Sequence, residues 1–445
     1  LVIPTWAQRP IGPGVITPGT ATGLASAPST QPGSSVTLSG GSIADGTYYC
    51  KTTNWNQNGE TTGSPTRTVT VSGGGGVAKI YIGNADYFYM TGAPGFRTYC
   101  SNDNVTFYRQ TPNPVVADFM IDSFTHYNAM GDSGSRLTSL TFSGTTIPIT
   151  NTATITPLQV ALNATRRAPT GASAPVPFGT LFVPAIDGTV NPSGQFSLTT
   201  PLIAMKGDSI IGSGAQNGLV NRQTRIFDNN TWNNTKLAVV MVFGGDAHIA
   251  NLGIQGVSTN ALMILGGAGY QGGTDGGMSV SDVALRAAGS ASAYRALVMV
   301  GIQYHSFFNN ISVGVTGNYV VEWRNSAGGE HYFQGGRWDT SGAGIMKSVP
   351  GWTNPDDGAH NAGFPFGVSG VTIKNVLTES GTGIMWDCVG LNMLFDFVQT
   401  ADAALAPGTD SIAKFGTDTT YGGATGITLI NTSFGTTTNA RVGTN

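Results

Sequence analysis

The sequence predicts an all-β protein whose larger part is a parallel β-helix, and three observations lead there. Short segments with the pattern apolar-x-Asn/Asp-apolar-x-apolar recur along the C-terminal half, and repeats of roughly twenty to forty residues indicate one unit stacked on itself. A second series of apolar segments accompanies them, so each repeat holds two strands joined by Gly- and Asn-rich corners. Only 10% of residues are charged and 64 of 445 are Gly, which favours strands and turns over a helix bundle. The first series is Ile249–Ile254, Val280–Leu285, Phe308–Val313 and Ile373–Val376, and the second is Ala261–Ile264, Ala296–Met299, Tyr319–Glu322, Gly344–Lys347 and Gly383–Trp386.

An Asn or Asp residue marks one corner of most repeats. These residues tolerate left-handed backbone and bond their own main chain in turns, so we expect them to be structural. A Gly supplies the same conformation in the turn that lacks an Asn. The corner residues are Asn251, Asp282, Asn310, Gly335, Asn375, Asp396 and Asn431.

One helix is predicted just before the repeats. Thr156 is a suitable N-cap, Pro157 fits the first helical position, and Pro169 ends the helix. Leu158 and Leu162 share one face. We expect this short helix to cap the open strand edges at the end of the β-helix.

The N-terminal part is organised differently. Residues 1–32 are rich in Pro, Gly, Ser and Thr and predict an extended arm or linker. Residues 33–112 hold short alternating strands that predict a small β-sandwich, residues 113–155 predict a connecting segment, and residues 156–445 the capping helix with the β-helix. The predicted sandwich strands are Ser35–Leu38, Gly46–Thr52, Thr66–Val71, Val77–Ile82 and Gly95–Cys100.

Parts of the predicted sandwich resemble fibronectin-type-III-like and immunoglobulin-like modules. The segments that carry the resemblance are Thr47–Thr52, Asn58–Thr61 and Phe96–Tyr99. The resemblance implies a spacer or binding module rather than a catalytic domain.

The chain has three cysteines, an odd number that indicates no disulfide framework. Cys50 and Cys100 lie in strand-like segments of the same predicted module, and two readings stay open: a disulfide or two buried thiols. Cys388 is interpreted as a packed thiol.

The C-terminal part resembles the pectate-lyase-like right-handed parallel β-helices of bacteriophage tailspikes and secreted polysaccharide-degrading enzymes. The segments that carry this resemblance are the helix Thr156–Ala168, Gly179–Pro184, Lys206–Gly214 and Asn251–Ile254. It implies a right-handed, single-stranded solenoid and a homotrimeric tailspike located in the virion tail, outside the cell. It also implies that phage tail or adaptor proteins bind the N-terminal region and that the ligand is a bacterial surface polysaccharide.

A pair of carboxylates is predicted to be catalytic. Glycosidic hydrolysis generally takes two carboxyl groups on either side of the scissile bond. Counting from the Asn corner makes Asp339 and Glu379 neighbours on consecutive turns, roughly 4.8 Å apart. The alternative reading is two solvated or locally bonded carboxylates. The aligned positions are Gln255, Arg286, Gly314, Asp339, Glu379 and Thr400.

Four other residues are candidates for substrate binding. Arg286 would donate to an acidic sugar, and His331 would orient a carboxylate, unless it forms a surface pair with its neighbour Glu330. Trp338 and Trp352 are predicted to stack on sugar rings, with packing in the core as the alternative. Trp352 lies in a long Pro- and Gly-rich excursion that is either a corner or a wall of the groove.

Another set of charged residues is predicted to be structural. Glu322, Lys347 and Lys414 occupy matching positions in the second strand series, which predicts a Glu322–Lys347 pair across turns. Asp387 is displaced by one residue from that face and is a weaker catalytic candidate.

Composition disfavours several other classes of function. The net charge is −3 and no basic patch is present, so nucleic acid is an unsuitable partner. No His, Cys and Asp spacing resembles a metal site, and no cofactor is expected. The apolar runs are too short to cross a bilayer, so we expect no membrane insertion. No secretion signal is visible, and because the sequence begins at Leu1 rather than Met, a removed leader or a preceding segment is expected.

Three functional hypotheses follow. The first is a phage tailspike that recognises a bacterial lipopolysaccharide or capsule and cleaves it as an endoglycosidase for host adsorption. The second is a receptor-binding fibre or adhesin of the same fold without catalysis. The third is a secreted bacterial polysaccharide lyase, which would be expected to hold Ca²⁺ in a cluster of Asp residues, and the sequence offers only Asp356-Asp357.

Overall fold

The computed structural model shows an all-β protein, with 36 strands and one helix in the part of the chain that it describes. The described residues are 23–83, 92–112, 114–116, 134–166, 179–184, 195–205, 207–214, 224–228, 238–243, 247–265, 278–287, 294–315, 319–340, 344–349, 367–381, 386–388, 390–403, 413–415, 426–436 and 442–443. They form two compact units, one within Ala21–Gln159 and one within Val160–Asn445. Of the predicted arm, residues 1–32, the first 22 residues lie outside the described part of the chain.

The first unit consists of antiparallel sheets. A six-stranded sheet has the order β4-β3-β7-β8, with β5 beside β3 and β9 beside β7, and a three-stranded sheet has the order β10-β6-β2. The remaining strands, β1 and β11, pair with each other. The strands are β1 (Gly23–Leu24), β2 (Ser34–Thr37), β3 (Gly46–Asn56), β4 (Gly59–Glu60), β5 (Arg67–Val71), β6 (Lys79–Gly83), β7 (Gly95–Ser101), β8 (Tyr108–Arg109), β9 (Val115–Val116), β10 (Gly134–Leu137) and β11 (Thr154–Ile155).

The two larger sheets share one apolar core. Val69 of the six-stranded sheet packs in the same cluster as Ile80 and Leu137 of the three-stranded sheet. Leu137 belongs to the segment that sequence reasoning interpreted as a connection, and its strand pairs with β6. Cys50 and Cys100 face each other on β3 and β7 and form a disulfide, with their Cα atoms 4.1 Å apart. The structure therefore selects the disulfide from the two alternatives.

The predicted helix is confirmed as α1 (Pro157–Thr165). Leu158, Ala161 and Leu162 are buried on one face. Just beyond the helix, Arg166 reaches the carboxylate of Asp208, with Nη2 and Oδ2 2.7 Å apart. Asp208 is fully buried and also accepts backbone hydrogen bonds from Gly179 and Met205. The start of the second unit is therefore held by a buried, fully bonded carboxylate.

The second unit is one continuous parallel sheet of 25 strands. Each segment hydrogen-bonds in parallel to the equivalent segment of the next repeat, for example β14 to β17 and β17 to β19. We call one repeat of the chain a rung. The strands are β12 (Thr180–Val183), β13 (Gln195–Leu198), β14 (Leu202–Met205), β15 (Ser209–Gly212), β16 (Arg225–Asp228), β17 (Ala238–Phe243), β18 (His248–Gly256), β19 (Asn260–Leu265), β20 (Ser279–Ala287), β21 (Leu297–Tyr304), β22 (Phe307–Asn309), β23 (Ser312–Val315), β24 (Tyr319–Gln334), β25 (Arg337–Thr340), β26 (Gly344–Val349), β27 (Gly367–Lys374), β28 (Leu377–Gly381), β29 (Trp386–Cys388), β30 (Gly390–Leu391), β31 (Leu394–Asp396), β32 (Gln399–Ala403), β33 (Ala413–Phe415), β34 (Thr428–Ile430), β35 (Ser433–Thr436) and β36 (Val442–Gly443).

The predicted Asn corner is confirmed at six of its seven positions, which have positive φ angles. These are Asn251, Asp282, Asn310, Gly335, Asn375 and Asn431. The prediction is wrong at Asp396, because Phe397 takes the left-handed position with φ 54°. Asp396 ends β31 instead, and its Oδ2 lies 3.1 Å from Nζ of Lys374.

A second left-handed corner was not predicted. It precedes the same strands on their N-terminal side, and its residue types vary too much to form a recognisable sequence pattern. Its members are Gly207, His305, Glu330, Gly370, Asn392 and Gly426.

The interior between the strands is filled by stacked apolar side chains. Phe308 and Phe333 occupy the same position on adjacent rungs, with ring centroids 4.5 Å apart. Trp323, Trp338 and Trp386 are fully buried beside them. Aromatic side chains thus form much of the core between β22 and β31.

Candidate active site

The outward-facing column that contains the predicted carboxylates follows the register of the strands. We call it the outer column; its members lie four residues after the corner, on successive rungs. Thr400 is not a member, because it pairs with Thr378 and Ala401 pairs with Glu379. This error follows from the misplaced corner at Asp396. The outer column consists of Phe227, Gln255, Arg286, Gly314, Asp339, Glu379 and Ala401.

Asp339 and Glu379 occupy adjacent rungs, as their register pairing shows. The carboxylate of Asp339 is held by Arg337 of the same strand, whose Nε lies 3.1 Å from Oδ1 and 3.0 Å from Oδ2. Both side chains are about half exposed, at 52% and 40%, so the pair contributes roughly 0–1 kcal/mol to stability. The side chain of Glu379 lies outside the described residues. Arg337 therefore orients Asp339 at the surface, and sequence reasoning missed it although it lies only two residues away.

An open recess lies between the basic and acidic parts of the outer column. Gly314 pairs with Arg286 on one side and with Asp339 on the other. A Cβ placed on Gly314 would meet no atom within 4 Å. At roughly 4.8 Å per rung, Arg286 and Asp339 are attached to backbone positions roughly 10 Å apart. The column thus presents a gap about two rungs wide, with Arg286 at one end and Asp339 at the other.

Arg286 is exposed, and a second arginine lies near it. Burial, together with the charge of Arg286, lowers the pKa of Arg225 from its usual value. The Cγ atom of Arg225 lies 3.7 Å from the Cβ position of Gly253, on the next rung. Two neighbouring guanidinium groups make this end of the column attractive to an anionic group.

Trp338 does not line the column, and the prediction that it contacts a glycan is wrong. Its side chain is 1% exposed, and its Nε1 donates to the backbone oxygen of Ile311 at 3.0 Å. Strand alternation explains this position, since Arg337 and Asp339 point outward and the residue between them must point inward. Trp338 packs edge-on against Phe333, with centroids 5.4 Å apart.

His331 is also in the core, and its predicted role beside the groove is wrong. Its side chain is 1% exposed and lies 6.1 Å from the ring of Trp323. The surface pair suggested for it is formed instead by His305, whose Nδ1 contacts Oε2 of Glu330. Glu330 is exposed and His331 is buried, as expected for neighbouring residues whose side chains alternate along a strand. The remaining candidate, Trp352, lies outside the described residues.

A separate charged column runs along the second strand series. Glu322, Lys347, Asp387 and Lys414 are in register on successive rungs and alternate in sign. The prediction that Asp387 is displaced by one residue from this column is therefore wrong, because Asp387 pairs directly with Lys347. Glu322 is buried, and its carboxylate contacts Nε of Arg295. The buried contact between Glu322 and Arg295 supports a structural role for Glu322.

The exposed aromatic residues that sequence reasoning missed are on a neighbouring sheet face. Phe307 and Tyr332 stack on each other, with ring centroids 5.1 Å apart, in front of the Asn corner. The sequence pairs Phe307-Phe308 and Tyr332-Phe333 each predict one outward and one inward ring, because side chains alternate along a strand. That the two outward rings stack on each other could not be predicted, because it depends on the register between rungs.

No family model matches the chain, and no curated protein matches it. The described residues contain no group of three or more His, Cys, Asp and Glu side chains arranged to hold a metal ion. In the same part of the chain, no helix has the length and apolar character needed to cross a membrane.

Proposed function

We propose that this protein is a phage tailspike that binds a bacterial surface polysaccharide and cleaves it by hydrolysis. The observation that carries the proposal is the register pairing of Asp339 with Glu379 on adjacent rungs, next to the recess at Gly314. Two carboxyl groups are the usual catalytic pair of glycoside hydrolases. A column of side chains repeated at strand spacing along successive rungs suits an extended polymer better than a small ligand.

The proposal includes a finer description of the fold. The 25 parallel strands, paired rung to rung and turned at left-handed corners, are a right-handed parallel β-helix capped by α1. The first unit, with its two antiparallel sheets around one core, is a fibronectin-III-like spacer. In this proposal the protein is a homotrimer on the outside of the virion, and its N-terminal region binds phage tail or adaptor proteins.

The chemistry assigns one role to each carboxyl group. Glu379 gives a proton to the glycosidic oxygen, and Asp339, oriented by Arg337, is the carboxylate that attacks the anomeric carbon. A backbone separation of one rung, roughly 4.8 Å, is close to the roughly 5 Å between the carboxyl groups of retaining enzymes. Water then hydrolyses the glycosyl ester, and Glu379 recovers its proton from that water. Arg286 binds an acidic sugar across the recess.

The test is the release of new reducing ends from a panel of purified lipopolysaccharides and capsules. We expect Asp339→Asn and Glu379→Gln to lower the rate by at least about a hundredfold, as removal of an acid–base group does, while binding is retained. The side chains of Asp339 and Arg337 are both about half exposed. Asp339→Asn, and Arg337→Gln as a control for loss of the surface ion pair, should therefore change the melting temperature by no more than a few degrees.

Gly314 allows a test that leaves every charged group in place. Gly314→Phe fills the recess, and it should fold because a Cβ at this position meets no atom within 4 Å and aromatic residues favour strands. Gly314→Ala is the matched control. Loss of cleavage in the Phe variant alone would support substrate binding in the recess, whereas equal activity of the two variants would contradict it.

A second candidate function is a receptor-binding fibre without catalysis. The contact between Arg337 and Asp339 favours this function. The Nε of Arg337 is within hydrogen-bonding distance of both oxygen atoms of Asp339, so the carboxylate is already engaged in a local contact and is less available to attack a sugar. Binding of a polysaccharide without any released reducing end would decide for the fibre.

A further inference from the structure

A ridge of two aromatic side chains crosses a face of the second unit that the outer column does not occupy. Phe307 and Tyr332 hold the same register position on β22 and β24. Their rings stack with an interplanar angle of 6°, and 51% and 38% of the two residues is exposed. Large adjacent apolar groups held in water indicate an interaction site.

The residues next to the ridge in the same column are small. Ser279 precedes Phe307 by one rung, and Thr372 follows Tyr332 by one rung. The two outer faces of the aromatic stack therefore rise above hydroxyl-bearing positions. Each outer face is open to a flat ligand group, and the hydroxyl groups lie at its base.

Polar groups flank the ridge on both sides. Asn309 and Gln334 are exposed and two residues beyond the rings, and within the described part of the chain their amides make no hydrogen bond. On the other side, His305 and Glu330 pair with each other. The free hydrogen-bonding groups are thus neutral amides, and the charged side chain on this side is the carboxylate of Glu330, in contact with His305.

We propose that this aromatic ridge is a second glycan-binding site, one that takes neutral sugar rings of a polysaccharide. The apolar face of a pyranose packs on an aromatic ring, and amides both donate to and accept from sugar hydroxyl groups. Because the ridge offers neutral amides and the Glu330 carboxylate repels an anionic group, it selects neutral sugars, whereas Arg286 in the outer column selects acidic ones. The proposal rests on the proposed function and assigns the ridge to holding the polymer away from the site of cleavage.

The test uses the full chain carrying Asp339→Asn and Glu379→Gln, so that the probe stays intact. The probes are purified lipopolysaccharides and capsular polysaccharides with neutral and with acidic repeats, immobilised for biolayer interferometry. In this background, Phe307→Ala with Tyr332→Ala should weaken binding of neutral-repeat polymers by about tenfold or more, from the loss of two stacking contacts. Phe182→Ala is the matched control, because Phe182 is 55% exposed on the first strand of the same sheet.

Each outcome has a distinct meaning. Weaker binding in the ridge variant and unchanged binding in the Phe182 control support the second site. If polysaccharides are bound and cleaved but the ridge variant binds as well as its parent, the ridge proposal is overturned and the proposed function stands. If no polysaccharide binds to any form, both are overturned. A ridge variant with unchanged binding but an altered mass by light scattering would make the ridge a contact between copies of the chain, which also overturns the proposal.

Discussion

The burial of His331 makes the stability of the second unit depend on pH below neutrality. The side chain is 1% exposed, and its Nδ1 atom has no hydrogen-bond partner in the described part of the chain. Burial, and to a lesser degree the charge of His305, lowers the pKa of His331 from 6.5 to about 4. Protonation would place an unpaired charge beside Trp323 in an apolar core.

The magnitude follows from the difference in pKa between the folded and unfolded chain. Since the folded value is the lower one, the unfolded chain takes up the proton first as the pH falls. The stabilisation is therefore fully present above pH 6.5 and is lost on acidification. With ~1.4 kcal/mol per pKa unit, the loss between pH 7 and pH 5 is about 2 kcal/mol, and it approaches about 3 kcal/mol near pH 4.

The assay compares wild type with His331→Leu, an apolar residue of similar volume, by denaturant unfolding at pH 7 and at pH 5. Wild type should lose about 2 kcal/mol more than the variant over this interval. His305→Asn is the control, because Asn tolerates the left-handed corner and leaves the buried imidazole in place. The His305→Asn variant should show most of the decrease in unfolding free energy that wild type shows between pH 7 and pH 5.

Nuclear magnetic resonance of histidine labelled at Cε1 tests the same point without unfolding the protein. The resonance that disappears in His331→Leu should stay in its neutral position down to about pH 5. A midpoint between pH 6 and 7 would mean that the imidazole is solvated and would refute the reasoning.

Three further predictions concern the covalent and buried polar contacts. The Cys50–Cys100 disulfide closes a loop with a sequence separation of 50 residues. Its reduction should lower the unfolding free energy of the first unit by about 4 kcal/mol. Urea unfolding with and without reductant measures this difference, and equal midpoints would contradict the prediction. Arg166→Met should cost about 3 kcal/mol because Asp208 keeps a buried charge without its cation, and the melting temperature should recover in part when Asp208→Asn is added. Asn375→Ala should destabilise by about 1 kcal/mol because its φ is 55°, whereas Asn375→Gly should stay close to wild type in the same thermal scan.

Features set by neighbouring residues were predictable from the sequence. Asn251 and Gly335 mark corners because their own backbone preferences favour the left-handed conformation. Counting four residues from such corners was enough to bring Asp339 and Glu379 to adjacent rungs. The start of α1 at Pro157 followed from its fixed φ angle.

Features set by the register between rungs were not predictable in the same way. Phe397 has no intrinsic preference for a left-handed corner, and it adopts one because the rungs before and after it turn at the same place. Glu330 likewise adopts a left-handed φ of 62° although its side chain gives no turn signal. The inward direction of Trp338 was available from alternation alone once Asp339 was assigned outward.

The fold depends on main-chain hydrogen bonds between rungs, whereas ligand preference depends on the exposed side chains. The corners at Asn310, Gly335 and Asn375 are aligned on successive rungs although 25 and 40 residues separate them. At an outward position such as Gly314, a Cβ would meet no atom within 4 Å. New ligand preferences can therefore accumulate one exposed residue at a time, while the hydrogen bonds that determine the fold stay unchanged.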